Sequence, residues 1–170
     1  NDDKGFAPIG DSSTPFTGTF DGNGSTISNL TINRSSENRV GLFGDTGSSA
    51  VIANASLEDS DVTGFQYVGG LVGYSSGTVD SSYATGNVSA TGNTVGGLVG
   101  YGEGTVGSSY ATGNVSATGT VGGLIGTNFG TVDSSYATGT VTGQDRVGGL
   151  IGANLGTVTD AYWDVNTTGQ

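Results

Sequence analysis

The chain has 170 residues, 34 of them glycine, and a formal net charge of −11. Glycine is thus about three times its usual ~7% share, while only 33% of the residues are hydrophobic. Histidine, cysteine and methionine are absent. That excludes histidine acid–base chemistry, thiol nucleophiles, Ser-His-Asp triads and the usual zinc, haem and iron–sulfur sites. No cofactor is expected. Lys4, Arg34, Arg39 and Arg146 are the only basic residues, so neither a nucleic acid nor an anionic membrane is an expected partner. No apolar run approaches the ~18 residues of a membrane span. The chain begins at Asn1 rather than Met, as expected of a processed or excised segment.

Residues 1–39 carry no repeat. Phe16 to Gly24 followed by Ile27, Leu30 and Ile32 reads as strand, Gly-rich turn, strand. This predicts an N-terminal cap or first coil.

From residue 40 to 158 two phrases recur together. Val68-Gly-Gly-Leu-Val-Gly73 returns as Val95 to Gly100, Val121 to Gly126 and Val147 to Gly152, after a degenerate copy at Val40 to Gly44. The closing glycines Gly44, Gly73, Gly100, Gly126 and Gly152 lie 29, 27, 26 and 26 residues apart. The second phrase, Gly77-Thr-Val-Asp-Ser-Ser-Tyr-Ala-Thr-Gly86, returns at Gly104 to Gly113 and Gly130 to Gly139, then decays after Gly156. Valine, threonine and tyrosine favour strands, and glycine and serine break the runs. The period is too short for a propeller blade, which needs about 40 residues, and the phrases are too poor in helix formers for a helical array.

The expected fold is therefore all-β: a β-solenoid, or β-helix, of about six coils of ~26 residues with about three short strands each. Parallel rungs ~4.8 Å apart would stack like residues into columns. One column is Leu42, Leu71, Leu98, Leu124 and Leu150; another is Val79, Val106, Val132 and Val158. Both are expected to face inward. A third column is Tyr83, Tyr110, Tyr136 and Tyr162, with its side left open. Glycines are expected to supply positive φ at the corners. Pairs such as Gly69-Gly70 are expected to let backbones approach closely. In the Asp80 row the residues run Asp80, Gly107, Asp133, Thr159. Carboxylates in alternate rungs avoid like-charge contact. Residues 159–170 are expected to cap the far end, with Trp163 as a plug over the last coil.

The two phrases together resemble the GLUG-motif repeats of bacterial and archaeal cell-surface proteins. Phe16 to Ile32 is similar to the lead-in of such arrays, and Tyr162 to Gln170 to their close. The resemblance covers about Phe6 to Gln170. It implies an extracellular, adhesin-like or stalk-like protein and supplies no catalytic residues.

Other candidates come from the residues themselves. Asp59 and Asp61, beside Glu58, have the spacing of a carboxylate pair that could act on a sugar; a solvated acidic loop is the stronger expectation. Asp21-Gly-Asn-Gly24 mimics the start of a calcium loop, but position 12 is Ile32 instead of glutamate. A tight turn is expected there, and no metal. Asn-x-Ser/Thr sequons occur at Asn23, Asn29, Asn33, Asn54, Asn87, Asn114 and Asn166. They mark possible N-glycosylation on an extracellular, acidic glycoprotein. Threonine columns at Thr78, Thr105, Thr131, Thr157 and at Thr85, Thr112, Thr138 would make a hydroxyl array.

The expected function is a non-catalytic structural or adhesive module of an extracellular surface protein. Its open ends suit head-to-tail self-association into a filament. The alternative is a glycan- or ice-binding module that uses the Thr, Ser and Tyr columns on a flat face, with surface glycans as partners.

Overall fold

The computed structural model describes residues 3–170; Asn1 and Asp2 of the expected cap lie outside them. The chain winds into a β-solenoid whose 27 short strands form five parallel sheets. One central coil defines the sheets. Val95–Gly96 lies in sheet I, Val99–Gly102 in II, Thr105–Gly107 in III, Tyr110–Ala111 in IV and Val115–Ser116 in V. Sheets III and IV have six strands and the others five, so the rod has between five and six turns. Each coil thus has five strands of two to four residues, not three. The glycines and serines between valines turn the chain more often than their spacing suggests. Among the described residues the only helix is the single turn Val165–Thr168, and no helix is long and apolar enough to cross a membrane.

Like residues stack. Val79 pairs in register with Val106, and Val106 with Val132. The interior has two apolar cores. The larger includes Leu71, Leu98, Leu124, Val106 and Ala111, and the smaller includes Val95, Val115 and Val121. Leu42 and Leu150 are 4% and 5% exposed, while Leu71, Leu98 and Leu124 are at 0%. Val158 stays in register with Val132 but is not buried. It is 38% exposed because no further coil covers the last strand of sheet III. Trp163 takes the inward position after Ala137 in sheet IV and packs over Gly149, but stays 44% exposed.

The corners correct the expectation for glycine. Positive φ falls on Asn54, Ser81, Ser108, Ser134 and Asp160 between sheets III and IV, and on Tyr67 and Thr94 at the start of sheet I. Asn, Asp and Ser tolerate this region because their short polar side chains bond locally. The positive-φ glycines among the described residues are Gly5, Gly10, Gly24 and Gly169, all outside the two repeat phrases. Inside the phrases glycine is required by close approach. A Cβ on Gly97 would lie 2.8 Å from Ala111 Cβ, in the larger core, and 3.3 Å from Val115 Cγ2, in the smaller. The Gly-Gly segment passes between the two cores, where any side chain would collide.

A serine ladder closes the III–IV corner. Ser82, Ser109 and Ser135 are buried. Ser82 Oγ accepts from Ala55 N–H at 3.0 Å and donates to Asp80 C=O at 2.8 Å. Ser109 Oγ accepts from Ser82 N–H at 3.1 Å and donates to Gly107 C=O at 2.6 Å. Ser135 Oγ repeats both bonds, to Ser109 N–H at 3.1 Å and Asp133 C=O at 2.7 Å. The left-handed residue breaks the backbone ladder, and the serine hydroxyl restores the missing partner. Removing it orphans a buried donor, which costs about 1–3 kcal/mol. Ser109→Ala is therefore expected to lower stability by about 1–3 kcal/mol in urea unfolding. Ser116→Ala, at an exposed site in sheet V, is expected to stay within about 0.5 kcal/mol.

Candidate binding surface

The tyrosine column lies on the outer face of sheet IV. The period-26 phrase puts one tyrosine in each of four successive rungs, and the alternation of the strand sends Ala84, Ala111 and Ala137 inward beside them. The rings form a continuous stack. Centroids are 4.8, 4.8 and 5.5 Å apart from Tyr83 to Tyr162, with interplanar angles of 4°, 8° and 7°. Tyr83, Tyr110 and Tyr136 are half-buried, while Tyr162 on the last rung is 61% exposed. Tyr83 Oη donates to Glu58 Oε1 at 2.8 Å. Burial, then the neighbouring Tyr136 and Tyr83, push the Tyr110 phenol above its ordinary range. It is neutral wherever the protein is folded near neutral pH.

Threonines flank the strip. Thr78, Thr105 and Thr131 stack in register on sheet III, continuing to Thr157. Thr85, Thr112 and Thr138 follow the tyrosines and are half-buried. Thr85 Oγ1 accepts from Asp59 N–H at 3.2 Å, so that hydroxyl is partly engaged. The row of acids on sheet III extends further than the phrase shows. It runs Asp21, Ala53, Asp80, Gly107, Asp133, Thr159, so carboxylates occupy every second rung.

A second aromatic cluster went unread in the sequence. Tyr74 and Tyr101 stack on sheet II with centroids 4.9 Å apart and an angle of 10°. Tyr67 meets both edge-on at 5.9 and 5.4 Å, and Phe129 leans on Tyr101 at 5.3 Å. Arg39 lies 4.5 Å over the Tyr74 ring and pairs with Asp45. Burial and Glu103 drive the Tyr74 phenol far up. Its signal was the tyrosine directly after Gly73 and Gly100, lost in later coils as Thr127 and Ala153.

The acidic candidates disperse. Asp59 sits at a positive-φ corner, Glu58 is held by Tyr83, and Asp61 points outward from sheet V. The Asp21 carboxylate closes a turn by accepting from Asn23 N–H at 2.9 Å and from Asn54 Nδ2 at 2.9 Å. Asn54, then Asn23, hold it below the usual carboxylate range. Among the described residues no group of three acids is placed to hold a metal ion.

All seven sequon asparagines (Asn23, Asn29, Asn33, Asn54, Asn87, Asn114, Asn166) are exposed. Two form a ladder of their own. Asn87 Oδ1 accepts from Asn114 N–H at 3.2 Å, and Asn114 Oδ1 from Thr140 N–H at 3.1 Å. Their amide oxygens face the next rung, and each side chain stays solvent-facing.

The stacked phrases match a known repeat. The model of the GLUG motif matches residues 66–89 and 117–142, which span the Gly-Gly-Leu-Val-Gly and Gly-Thr-Val phrases in turn. Two stretches of the chain thus match the GLUG motif. Ninety residues are 46% identical to Halomucin of Haloquadratum walsbyi, covering 52% of this chain and 1% of that protein. Eighty residues are 38% identical to a putative Gly-rich membrane protein of Evansella cellulosilytica, covering 45% of this chain and 9% of that one. The aligned residues span only a small part of each of these longer proteins. No solved structure matches the chain.

Proposed function

We propose that the chain is a non-catalytic structural rod within an extracellular surface protein. The observation that carries this is the continuity of the five parallel sheets, which run from the first coil to the last. Load along the rod is shared by all five ladders, and the acidic exterior keeps the surface solvated. Similarity to Halomucin and to a Gly-rich membrane protein supports a surface setting. The reading is tested on intact cells that make the protein. Antibody against the rod should label unpermeabilised cells, and external protease should remove the label. Label that appears only after permeabilisation would sink it.

The tyrosine strip favours a second reading, in which the rod also binds a surface glycan. The stacked rings present their edges, and the well-exposed Tyr162 on the last rung, beside threonine hydroxyls, so that apolar surface and donors lie together, as sugars require. A glycan-array screen should show binding that Tyr110→Ala abolishes. A blank array, with no thermal hysteresis in a parallel ice assay, would remove the binding reading and leave the rod.

A further inference from the structure

The rings on sheet IV lie face to face, each phenol over the same atoms of the next. Tyr83, Tyr110 and Tyr136 pair in register, 27 and 26 residues apart in the chain. Their centroids are 4.8 Å apart at both steps, and the planes diverge by only 4° and 8°. Each ring is half-buried, so one edge reaches solvent. Stacking alone would be served as well by phenylalanine. The hydroxyl adds the capacity for one-electron oxidation. At Tyr83 that hydroxyl donates to the Glu58 carboxylate at 2.8 Å, which is placed to take the phenol proton as an electron leaves.

We propose that this column is a site of oxidative coupling, at which hydrogen peroxide acting through a peroxidase joins tyrosines of successive coils as dityrosine. Each of two neighbouring phenols loses one electron and its O–H proton. The resulting phenoxyl radicals carry spin on the carbons ortho to oxygen, in π orbitals that point along the stack. In-register rings set those carbons over one another, so a C–C bond forms between the faces. Both coupled carbons then release their hydrogens as protons, both oxygens regain protons, and a biphenol remains. The peroxide takes up two electrons and two protons and leaves as two waters.

Closing the gap requires the rings to lean together. Tyrosine χ2 is a broad torsion. Among the described residues, no ring outside the column and no cation packs on Tyr83, Tyr110 or Tyr136. Sheet II supplies the comparison. Tyr74 and Tyr101 stack just as closely, at 4.9 Å and 10°. There Arg39 lies over Tyr74, Tyr67 meets both rings edge-on, and Phe129 leans on Tyr101. Those rings are clamped, and they are expected to stay apart. The two stacks share their spacing and differ in the freedom to lean.

The product is a staple. The chain has no cysteine, so disulfides cannot tie one coil to the next. A dityrosine would close a loop of one full coil and restrain turns that can otherwise fray singly.

The test treats the purified full chain, in dilute solution, with a haem peroxidase and hydrogen peroxide. The monomer should gain dityrosine fluorescence and lose two hydrogens of mass per link. Cleavage at aspartate and glutamate separates the three tyrosines, because Glu103 and Asp133 lie between them. Linked peptides should join Tyr83 to Tyr110 and Tyr110 to Tyr136, with Tyr74 and Tyr101 unlinked. Tyr110→Phe keeps the stack and should remove both links, with the melt of the unoxidised protein unchanged. Glu58→Gln should slow the Tyr83–Tyr110 link and leave the Tyr110–Tyr136 link as it was. By analogy with a disulfide that closes a loop of this length, oxidation should raise the thermal midpoint by on the order of 10 °C. No linked peptides from the column, links as abundant in the urea-unfolded chain, an equal yield from Tyr74 and Tyr101, or an unchanged midpoint would each overturn the staple. None of these would touch the cell-surface labelling that tests the rod.

Discussion

Gly122→Ala is expected to destabilise the protein by at least about 3 kcal/mol, above the usual 1–3 kcal/mol of overpacking. At this chain length that lowers the thermal midpoint by at least about 6–12 °C. The added Cβ would lie 2.7 Å from Gly152 N and 2.8 Å from Ile125 C, and closer still to Ile125 O. All three are backbone atoms in strands of sheet II, and none can rotate away. Two other glycines calibrate the effect. A Cβ on Gly107 would meet only Asp80 Oδ1, at 2.9 Å, the far end of a half-buried side chain that can turn aside; Gly107→Ala should be close to neutral. Gly24 has open space but a φ of 73°, so Gly24→Ala should cost only about 1–2 kcal/mol of backbone strain. Thermal unfolding of the three variants by circular dichroism gives the order. If Gly24→Ala proved worse than Gly122→Ala, the repeat glycines would be serving conformation rather than approach.

That ranking marks the boundary of what could be read in the chain of letters. Period and columns were legible because identical residues recur at identical offsets, and parallel in-register pairing follows from that alone. Leu71, Leu98 and Leu124 fall in one buried row for this reason. The role of glycine was not legible. A letter reports freedom of φ and absence of Cβ together, and only the coordinates separate the two. The corner residues Asn54, Ser81, Ser108 and Asp160 show no common letter, since what they share is a tolerated conformation. Strand number was obscured for a related reason: strands of two to four residues are shorter than a clear alternation needs. The Ser-Ser pair before Tyr83, Tyr110 and Tyr136 read only as a break between strands. Its first serine is exposed at the corner, and its second is a buried hydrogen-bonding partner. On the surface, the rows that stack were predictable, but the side taken by the tyrosines was not. The cluster around Tyr67 was missed because Tyr67 belongs to no column and reaches Tyr74 and Tyr101 by folding alone.

The same one-dimensional architecture makes the cost of a core deletion depend on its place along the rod. Leu98→Ala should cost about 2–5 kcal/mol, the range for removing a buried leucine side chain. That lowers the thermal midpoint by on the order of 10 °C. Leu98 lies between Leu71 and Leu124, all at 0% exposure, so no solvent-facing loop can relax into the space. Leu150→Ala removes the same atoms from the last turn, beside the open concavity under Trp163. There the site can collapse, and only one neighbouring coil is lost. In a stack whose stability is the sum of coil and interface terms, an end coil can fray while the rest holds. Leu150→Ala should therefore cost no more than about half as much as Leu98→Ala. Its hydrogen-exchange signature should differ as well: faster exchange confined to residues 147–168, against faster exchange throughout for Leu98→Ala. Equal costs and uniform exchange in both variants would mean that the rod unfolds as one unit. The coupling between coils would then dominate the stability of any single turn.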